Sequence, residues 1–322
     1  MRRLSDTAVE VDDIDRQLME LVAVNPRRSN VSLGAAIGVT DETVASRLNA
    51  LMAGGVLAMT ALVDWEAAGY GVHALARLQV ADRPPAEVAK RLVGLDGVHI
   101  VTTTSGCCDL VVGLLATDTR ALRDIVTAPF RALDDIVGWS VEIVTETLRF
   151  ATRATTLAIA PWSAADLPNP VVPLDDLDIR LIDLLVEHAH ESNRWLSRRL
   201  GVSDGTVKAH IQRLEDAGLL RVAAVTDLVR TGEVGSVAFV FITLRDVSDA
   251  ATVEMLAKHP HLGTIERCVG HADLVAMAVA RNENDLQSYL SEELRSLPGV
   301  HRIEVASVLE AQAHRAHLVR ML

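Results

Sequence analysis

LDDLDIRLIDLLVEHAHESNRWLSRRLGVSDGTVKAHIQRLEDAGLL, residues Leu174 to Leu220, reads as three short helices closed by a glycine-marked turn, and it occurs twice. Val11 to Leu57, VDDIDRQLMELVAVNPRRSNVSLGAAIGVTDETVASRLNALMAGGVL, lies over it without a gap when Asp15 is set on Asp178. Identities fall at Asp12/Asp175, Asp13/Asp176, Asp15/Asp178, Leu18/Leu181, Leu33/Leu196, Gly38/Gly201, Val39/Val202, Thr43/Thr206, Val44/Val207, Leu51/Leu214 and Gly55/Gly218. So long a period predicts a duplicated two-part unit, because solenoid repeats run to only about 20–50 residues.

Within each copy the pattern predicts a helix-turn-helix. The paired aspartates suit a helix N-terminus, where free N–H groups and the macrodipole favour carboxylates. Ile14, Leu18, Leu21 and Val22 then recur at helical spacing, as do Leu177, Leu181, Leu184 and Leu185. Gly38-Val39 and Gly201-Val202 turn the chain into a third helix. Val44, Leu48 and Leu51, or Val207, Ile211 and Leu214, point that helix's apolar face at the core. The opposite face, with Ser46 and Asn49 in one copy and Lys208 and Gln212 in the other, is what a major groove would meet.

The two faces differ in charge. Thr40 to Ala50 sets Asp41 and Glu42 against Arg47, whereas Ser203 to Arg213 sets Asp204 against Lys208 and Arg213, with His210 besides. Arg194, Arg198 and Arg199 on the preceding helix, and Arg221 just beyond it, add candidate phosphate contacts. The second copy is therefore expected to be the stronger DNA reader. Each basic residue taken alone has the blander reading of a solvated helix face. The whole chain carries a net charge of −12, so any positive footprint must be local.

A chain of 322 residues, 49% hydrophobic, exceeds the usual single domain and supplies material for two or more cores. No apolar run approaches the roughly 20 residues of a spanning helix, and the Arg-bearing start lacks the apolar stretch of a secretory signal. A cytoplasmic location, with no membrane partner, is expected. Cys107, Cys108 and Cys268 give neither a disulfide framework nor a metal spacing and read as reduced thiols, so no metal and no cofactor are expected.

After each helical unit the periodicity becomes that of strands. Val72–Val80, helix 84–95, Val98–Thr104, Asp109–Ala116, helix 119–133 and Trp139–Thr147 follow one another, and the second unit repeats the order from Val237 to Leu309. A βαββαβ string is the ferredoxin-like pattern. The expected class is α+β: a flexible tail 1–10, a winged-type helix-turn-helix 11–60, a ferredoxin-like domain 61–150, a proline-rich linker 151–173, a second helix-turn-helix 174–223 and a second ferredoxin-like domain 224–322.

The start LDDLDIRLIDLL, the S-x-G-T-V-x-x-x-I-x-x-L recognition helix, the A-G-L-L exit and a βαββαβ domain ending in LPGVHRIEVASVLE resemble the leucine-responsive/asparagine regulator (Lrp/AsnC) family, twice over. The resemblance implies a transcription regulator whose ferredoxin-like (RAM/AsnC-type) domains pair sheet to sheet. It implies DNA contact through Lys208, Gln212, Arg213, His210, Thr206, Ser203, Arg194, Arg198 and Arg199, with Arg47, Asn49, Thr43 and Ser46 in the weaker first copy. It also implies a small-molecule effector, commonly an amino acid, near the loop between the third and fourth elements of the ferredoxin-like domain. Thr104, Ser105, Gly106, Cys107 and Asp109 form that loop in one copy and Gly270, His271 and Asp273 in the other. Gly106 and Gly270 permit a tight turn that offers N–H groups to a carboxylate; Asp109 and Asp273 either hold an ammonium or cap the turn. Cys107 and His271 stand where the family usually has an aromatic residue.

The expected function is a DNA-binding regulator tuned by an effector, double-stranded DNA and the effector being its partners, and not an enzyme. Pairing of its ferredoxin-like domains implies an internal pseudo-dimer and then a homodimer or higher homo-oligomer. Two alternatives stand beside it. Siroheme decarboxylases share these parts, but their histidine-rich stretch has no counterpart in Tyr70–Ala74 or Gly235–Ala238. A sensing or assembly module without DNA binding would fit the acidic net charge.

Overall fold

The computed structural model describes residues 2–3, 9–150, 162–314 and 317–321. Residues 2–3 form a short strand, β1 (Arg2–Arg3), paired with residues 310 and 311, which corrects the expectation of a loose tail for those two; residues 1 and 4–8 lie outside the described part.

The repeated segment folds as α1 (Asp13–Val24), α2 (Asn30–Ile37) and α3 (Asp41–Ala53), and again as α6 (Asp176–His188), α7 (Asn193–Leu200) and α8 (Asp204–Asp216). The shared aspartates explain their own recurrence. Asp12 accepts the Asp15 N–H at 2.9 Å while Asp15 reaches back to the Asp12 N–H, and Asp175 and Asp178 do the same, so both units open on a capping box. Gly38 and Gly201, at φ 76° and 75°, end the second helices in the left-handed conformation that a side chain resists.

The exits β2 (Leu57–Asp64) and β7 (Leu220–Thr226) pair with each other, antiparallel, from Leu57↔Thr226 to Val63↔Leu220. The two helical units consequently share one core. Leu18, Leu33, Val44 and Leu51 of the first and Leu181, Leu196, Val207 and Leu214 of the second belong to the same buried cluster. Burying each such side chain contributes about 1.5–3 kcal/mol. The connector is not simply extended: Ala164 and Leu167 are buried in that core, and Ser163 and the Ala164 N–H bond Asp183 on α6. Its proline spacing forbids a long helix but leaves room for this 3-10 turn, Ala164–Asp166. Residues 151–161 of the linker lie outside the described part.

Each unit continues as a βαββαβ domain, giving the α+β class. The first has β3 (Val72–Val80), α4 (Pro85–Leu92), β4 (Val98–Gly106), β5 (Leu110–Ala116), α5 (Thr119–Arg131) and β6 (Ile136–Arg149). The second has β8 (Ser236–Leu244), α9 (Ala250–Ala257), β9 (Leu262–Val269), β10 (Leu274–Ala280), α10 (Glu283–Ser288) and β11 (Val300–His314). The last helix of the second domain passes after Ser288 into a π turn and then a 3-10 turn, with Tyr289, Leu290 and Leu294 buried. A last strand, β12 (Leu318–Val319), runs parallel to β2.

The two sheets do more than face one another. β6 pairs with β9 and β11 with β4, while β11 also pairs with β8, so the order β11-β4-β5-β3-β6-β9-β10-β8 returns to β11 and closes a barrel. This double duty makes β6 and β11 longer than their local sequence predicts. Alternation then divides the side chains. Ala74, Ala76, Leu78, Val112 and Leu114 pack under α4 and α5, and their counterparts Ala238, Val240, Ile242, Ala276 and Ala278 under the second helical layer. Leu75, Val111, Phe239, Phe241 and Val275 fill the interior with Cys108 and Cys268.

Candidate nucleic-acid interface and effector loops

Helix phase turns Lys208 and Gln212 of α8, and Ser46 and Asn49 of α3, to solvent, all four being exposed. Ala45, Asn49 and Met52 on one side and Lys208, Gln212 and Glu215 on the other line a cavity of about 750 Å³ between the two units. Arg27 bridges its mouth, donating to Asn193 Oδ1 at 2.6 Å. Gln212 Nε2 also donates to Asp216 Oδ1 at 2.8 Å.

Three basic residues expected on the reading faces are held by carboxylates at the start of their unit's first helix. The Arg213 guanidinium binds Asp178, and His210 Nδ1 donates to Asp178 Oδ1 at 2.7 Å. Arg47 occupies the position of His210 in its copy and donates to Asp12 Oδ2 at 2.5 Å and Asp15 Oδ1 at 3.1 Å. In both units a basic side chain on the recognition helix thus braces the capping box of the first helix. Burial would raise the Asp178 pKa, but Arg213, the backbone at Asp175 and His210 outweigh it and hold the carboxyl below its usual range. Asp175, Asp178 and His210 are, among the described residues, close enough to share a cation. Both Asp178 oxygens are already engaged by His210 and Arg213, so the group reads as an ion-pair cluster.

Ser203 and Thr206, like Thr40 and Thr43, are spent on the N-cap: Ser203 Oγ accepts the Thr206 N–H at 3.1 Å and Thr40 Oγ1 the Thr43 N–H at 3.2 Å. Arg194, Arg198 and Lys208 are exposed and, among the described residues, enter no ion pair; Arg199 lies 5.2 Å over the Trp195 ring. The first unit has Val31, Ala35, Ala36 and Ala45 in the places of Arg194, Arg198, Arg199 and Lys208. The cations of α7 and α8 therefore have no counterparts on α2 and α3, a contrast visible in the aligned repeats but concealed by the chain's negative total.

In the effector loops, Asp109 and Asp273 cap backbone. Asp109 Oδ2 accepts the Val80 N–H at 2.8 Å, and Asp273 Oδ2 the Leu244 N–H at 2.7 Å. Each aspartate thus caps its turn through one oxygen, the second of the two roles expected of it. Thr104 is buried and donates to the Cys108 carbonyl at 2.9 Å; Ser105 pairs with Ser307 in the sheet. Gly106, at φ 120°, lies so close to the Val305 carbonyl that a Cβ would collide with it, and the Cys107 N–H donates to that carbonyl at 2.9 Å. Cys107 is half-buried. A hydrogen bond with the Cys108 thiol and the nearby Arg77 guanidinium outweigh burial and lower its pKa to about 7. In the second loop the N–H groups of His271 and Ala272 point at Glu142, a residue that alternation in β6 alone would have left unnoticed. His271 Nε2 stands 2.6 Å from Arg302 Nη2.

Residues 11–52 match an AsnC-type helix-turn-helix domain, residues 174–221 a winged helix-turn-helix DNA-binding domain, and residues 237–317 the Lrp/AsnC ligand binding domain. Among curated proteins, an uncharacterised HTH-type transcriptional regulator of Pyrococcus abyssi is 29% identical over 137 residues, 42% of this chain and 85% of its own length. The HTH-type transcriptional regulator FL11 of Pyrococcus horikoshii is 24% identical over 148 residues, 46% of this chain and 97% of its own. Such relatives correspond to less than half of the chain. The siroheme decarboxylase NirDL matches along 94% of this chain and 93% of its own with a TM-score of 0.66, at 14% identity, a likeness of fold. Among the described residues no helix is long and apolar enough to cross a membrane. By residues 11–52 and 237–317 the chain is thus similar to the AsnC-type helix-turn-helix and the Lrp/AsnC ligand binding domain.

Proposed function

We propose that the protein is a transcription regulator that grips double-stranded DNA chiefly with its second helix-turn-helix and is modulated by a small molecule at its barrel loops. The observation that carries this is the cluster of Arg194, Arg198, Arg199 and Lys208 on α7 and α8, cations that enter no ion pair among the described residues. Free cations are what phosphates recruit, whereas Arg213, His210 and Arg47 act as braces. The first unit serves as scaffold for the second, with Thr43, Ser46 and Asn49 offering polar contact at most. The relatives named as transcriptional regulators support the reading. Titration of DNA from upstream of its own gene at low salt tests it; absence of binding there refutes it. Assembly beyond one chain belongs to the same proposal and is read by light scattering.

A second reading, an enzyme on this fold, is favoured by one observation. The whole-chain likeness to NirDL accompanies buried histidines: His73 Nδ1 stands 3.2 Å from Glu266 Oε1 and the His73 ring 4.6 Å from that of Trp65, with His99 beside them. Absorbance titration with siroheme decides it, since a tetrapyrrole-binding protein shifts the absorbance bands.

A further inference from the structure

Glu142 is wholly buried in the barrel. A carboxylate there is tolerable only when its charge is paired and its lone pairs are filled. Arg77 Nη2 donates to Oε1 at 2.7 Å, and the N–H groups of His271 and Ala272 donate to Oε2 at 2.7 and 3.2 Å. A guanidinium and two successive amides make a carboxylate seat of the kind proteins use for anions. Arg77 is itself fixed by Ser140 Oγ at 3.1 Å, by Glu304 Oε2 at 3.3 Å and by the Phe241 ring 4.4 Å away. Gly270 completes the seat, because a Cβ there would collide with the Glu142 carboxylate and stand 2.7 Å from the Val141 carbonyl.

The corresponding place in the other half is built differently. Ala306 replaces Glu142, Phe241 replaces Arg77, and the Cys107 N–H is satisfied by a backbone carbonyl. The seat thus exists once, on the loop assigned above to effector binding, and the chain's own side chain sits in it.

We infer that Glu142 is a built-in ligand of the 270–272 loop, so that a free carboxylate enters that loop only in place of the Glu142 side chain. This deepens the effector part of the reading above. A carboxylate-bearing effector acts there by displacing Glu142, which frees β6 from the loop it clamps, and its affinity is set by competition with a tethered rival. The tethered group enjoys a high effective concentration, so the intact protein resists small carboxylates.

Thermal melts of E142A in formate, acetate and chloride at equal ionic strength test the inference without DNA or the natural effector, and so fail independently of the regulator reading. E142A is expected to melt below the intact protein and to be restored by formate and acetate but not by chloride, while the intact protein responds to none of them. The R77A/E142A double variant is expected to lose the rescue. Equal shifts with all three anions, or rescue that survives loss of Arg77, overturn the inference. Should E142A fail to fold, hydrogen exchange at the His271 and Ala272 amides decides. Protection in the intact protein is expected to fall in E142D, whose carboxylate is withdrawn by one methylene; equal exchange in the two proteins overturns the inference.

Discussion

Replacing Arg194, Arg198, Arg199 and Lys208 by alanine, singly and together, measures how far DNA binding rests on the second helix-turn-helix. Each phosphate contact releases counterions and contributes about 0.9 to the slope of log affinity against log salt. Four contacts give a slope share of about 3.6, so between roughly 50 and 200 mM salt they account for about a 150-fold fall in affinity. Fluorescence anisotropy across a salt series is the assay. Each single variant is expected to reduce the slope by about 0.9, and the quadruple variant to lose about 3.6. Arg47→Ala, whose guanidinium is held by Asp12 and Asp15, is expected to leave the slope unchanged. A quadruple variant with the original slope, or an equal loss in Arg47→Ala, would refute the division into gripping and bracing cations.

Four further perturbations bear on the braces, the thiols and the glycines. Asp178→Ala strips Arg213 and His210 of their shared partner and is expected to lower stability by about 2 kcal/mol in denaturant titration. Because the folded Asp178 pKa lies below its ordinary value, its contribution is present above the ordinary carboxylate range and is lost as pH falls through the depressed value, so the variant's deficit should shrink in acid. Alkylation at Cys107 is expected to rise with a midpoint near pH 7, while Cys268, pushed up to about 12 by burial, and Cys108, raised by its hydrogen bond with Cys107 and then by burial, stay unreactive; mass spectrometry locates the adducts, and Arg77→Ala should move the midpoint upward. Gly270→Ala forces Glu142 off two buried amides and is expected to cost about 1–3 kcal/mol. Gly205→Ala in the exposed first turn of α8, where a Cβ would meet only Ser203 Oγ at 3.7 Å, should instead stabilise by about 0.5 kcal/mol; thermal melts of both glycine variants beside the intact protein check the pair.

The helical units were legible because their signals are local: capping aspartates, a glycine after the second helix and apolar residues at helical spacing. The βαββαβ order was legible from alternation for the same reason. The closure of the barrel was not, since the register of β6 on β9 or β11 on β4 joins segments more than a hundred residues apart and leaves no trace in either strand alone. Glu142 shows the consequence for the site: in an isolated alternating strand it reads as a solvent-facing charge, and only closure buries it. Local charge likewise put Arg213 and His210 among the DNA contacts, because one helix read alone does not contain the Asp178 carboxylate that lies across the interhelical gap. The contrast of Arg194 and Arg198 with Val31 and Ala35 needed no structure beyond the alignment of the two repeats.

At the centre of the barrel the Arg77 guanidinium stacks on Phe241, the residue at its own matching position in the other half. In an assembly of two identical chains, a position on the twofold axis meets itself, and an arginine there would face an arginine. Covalent fusion lifts that restriction. Each half can change without dictating the same change across the axis, so one chain can hold a cation against an aromatic ring, keep a carboxylate where its other half has an alanine, and set arginines on one helix where the matching helix has valine and alanine. The protein is in this sense a heterodimer whose subunits cannot exchange partners, and its division of labour between halves is inherited as a single sequence.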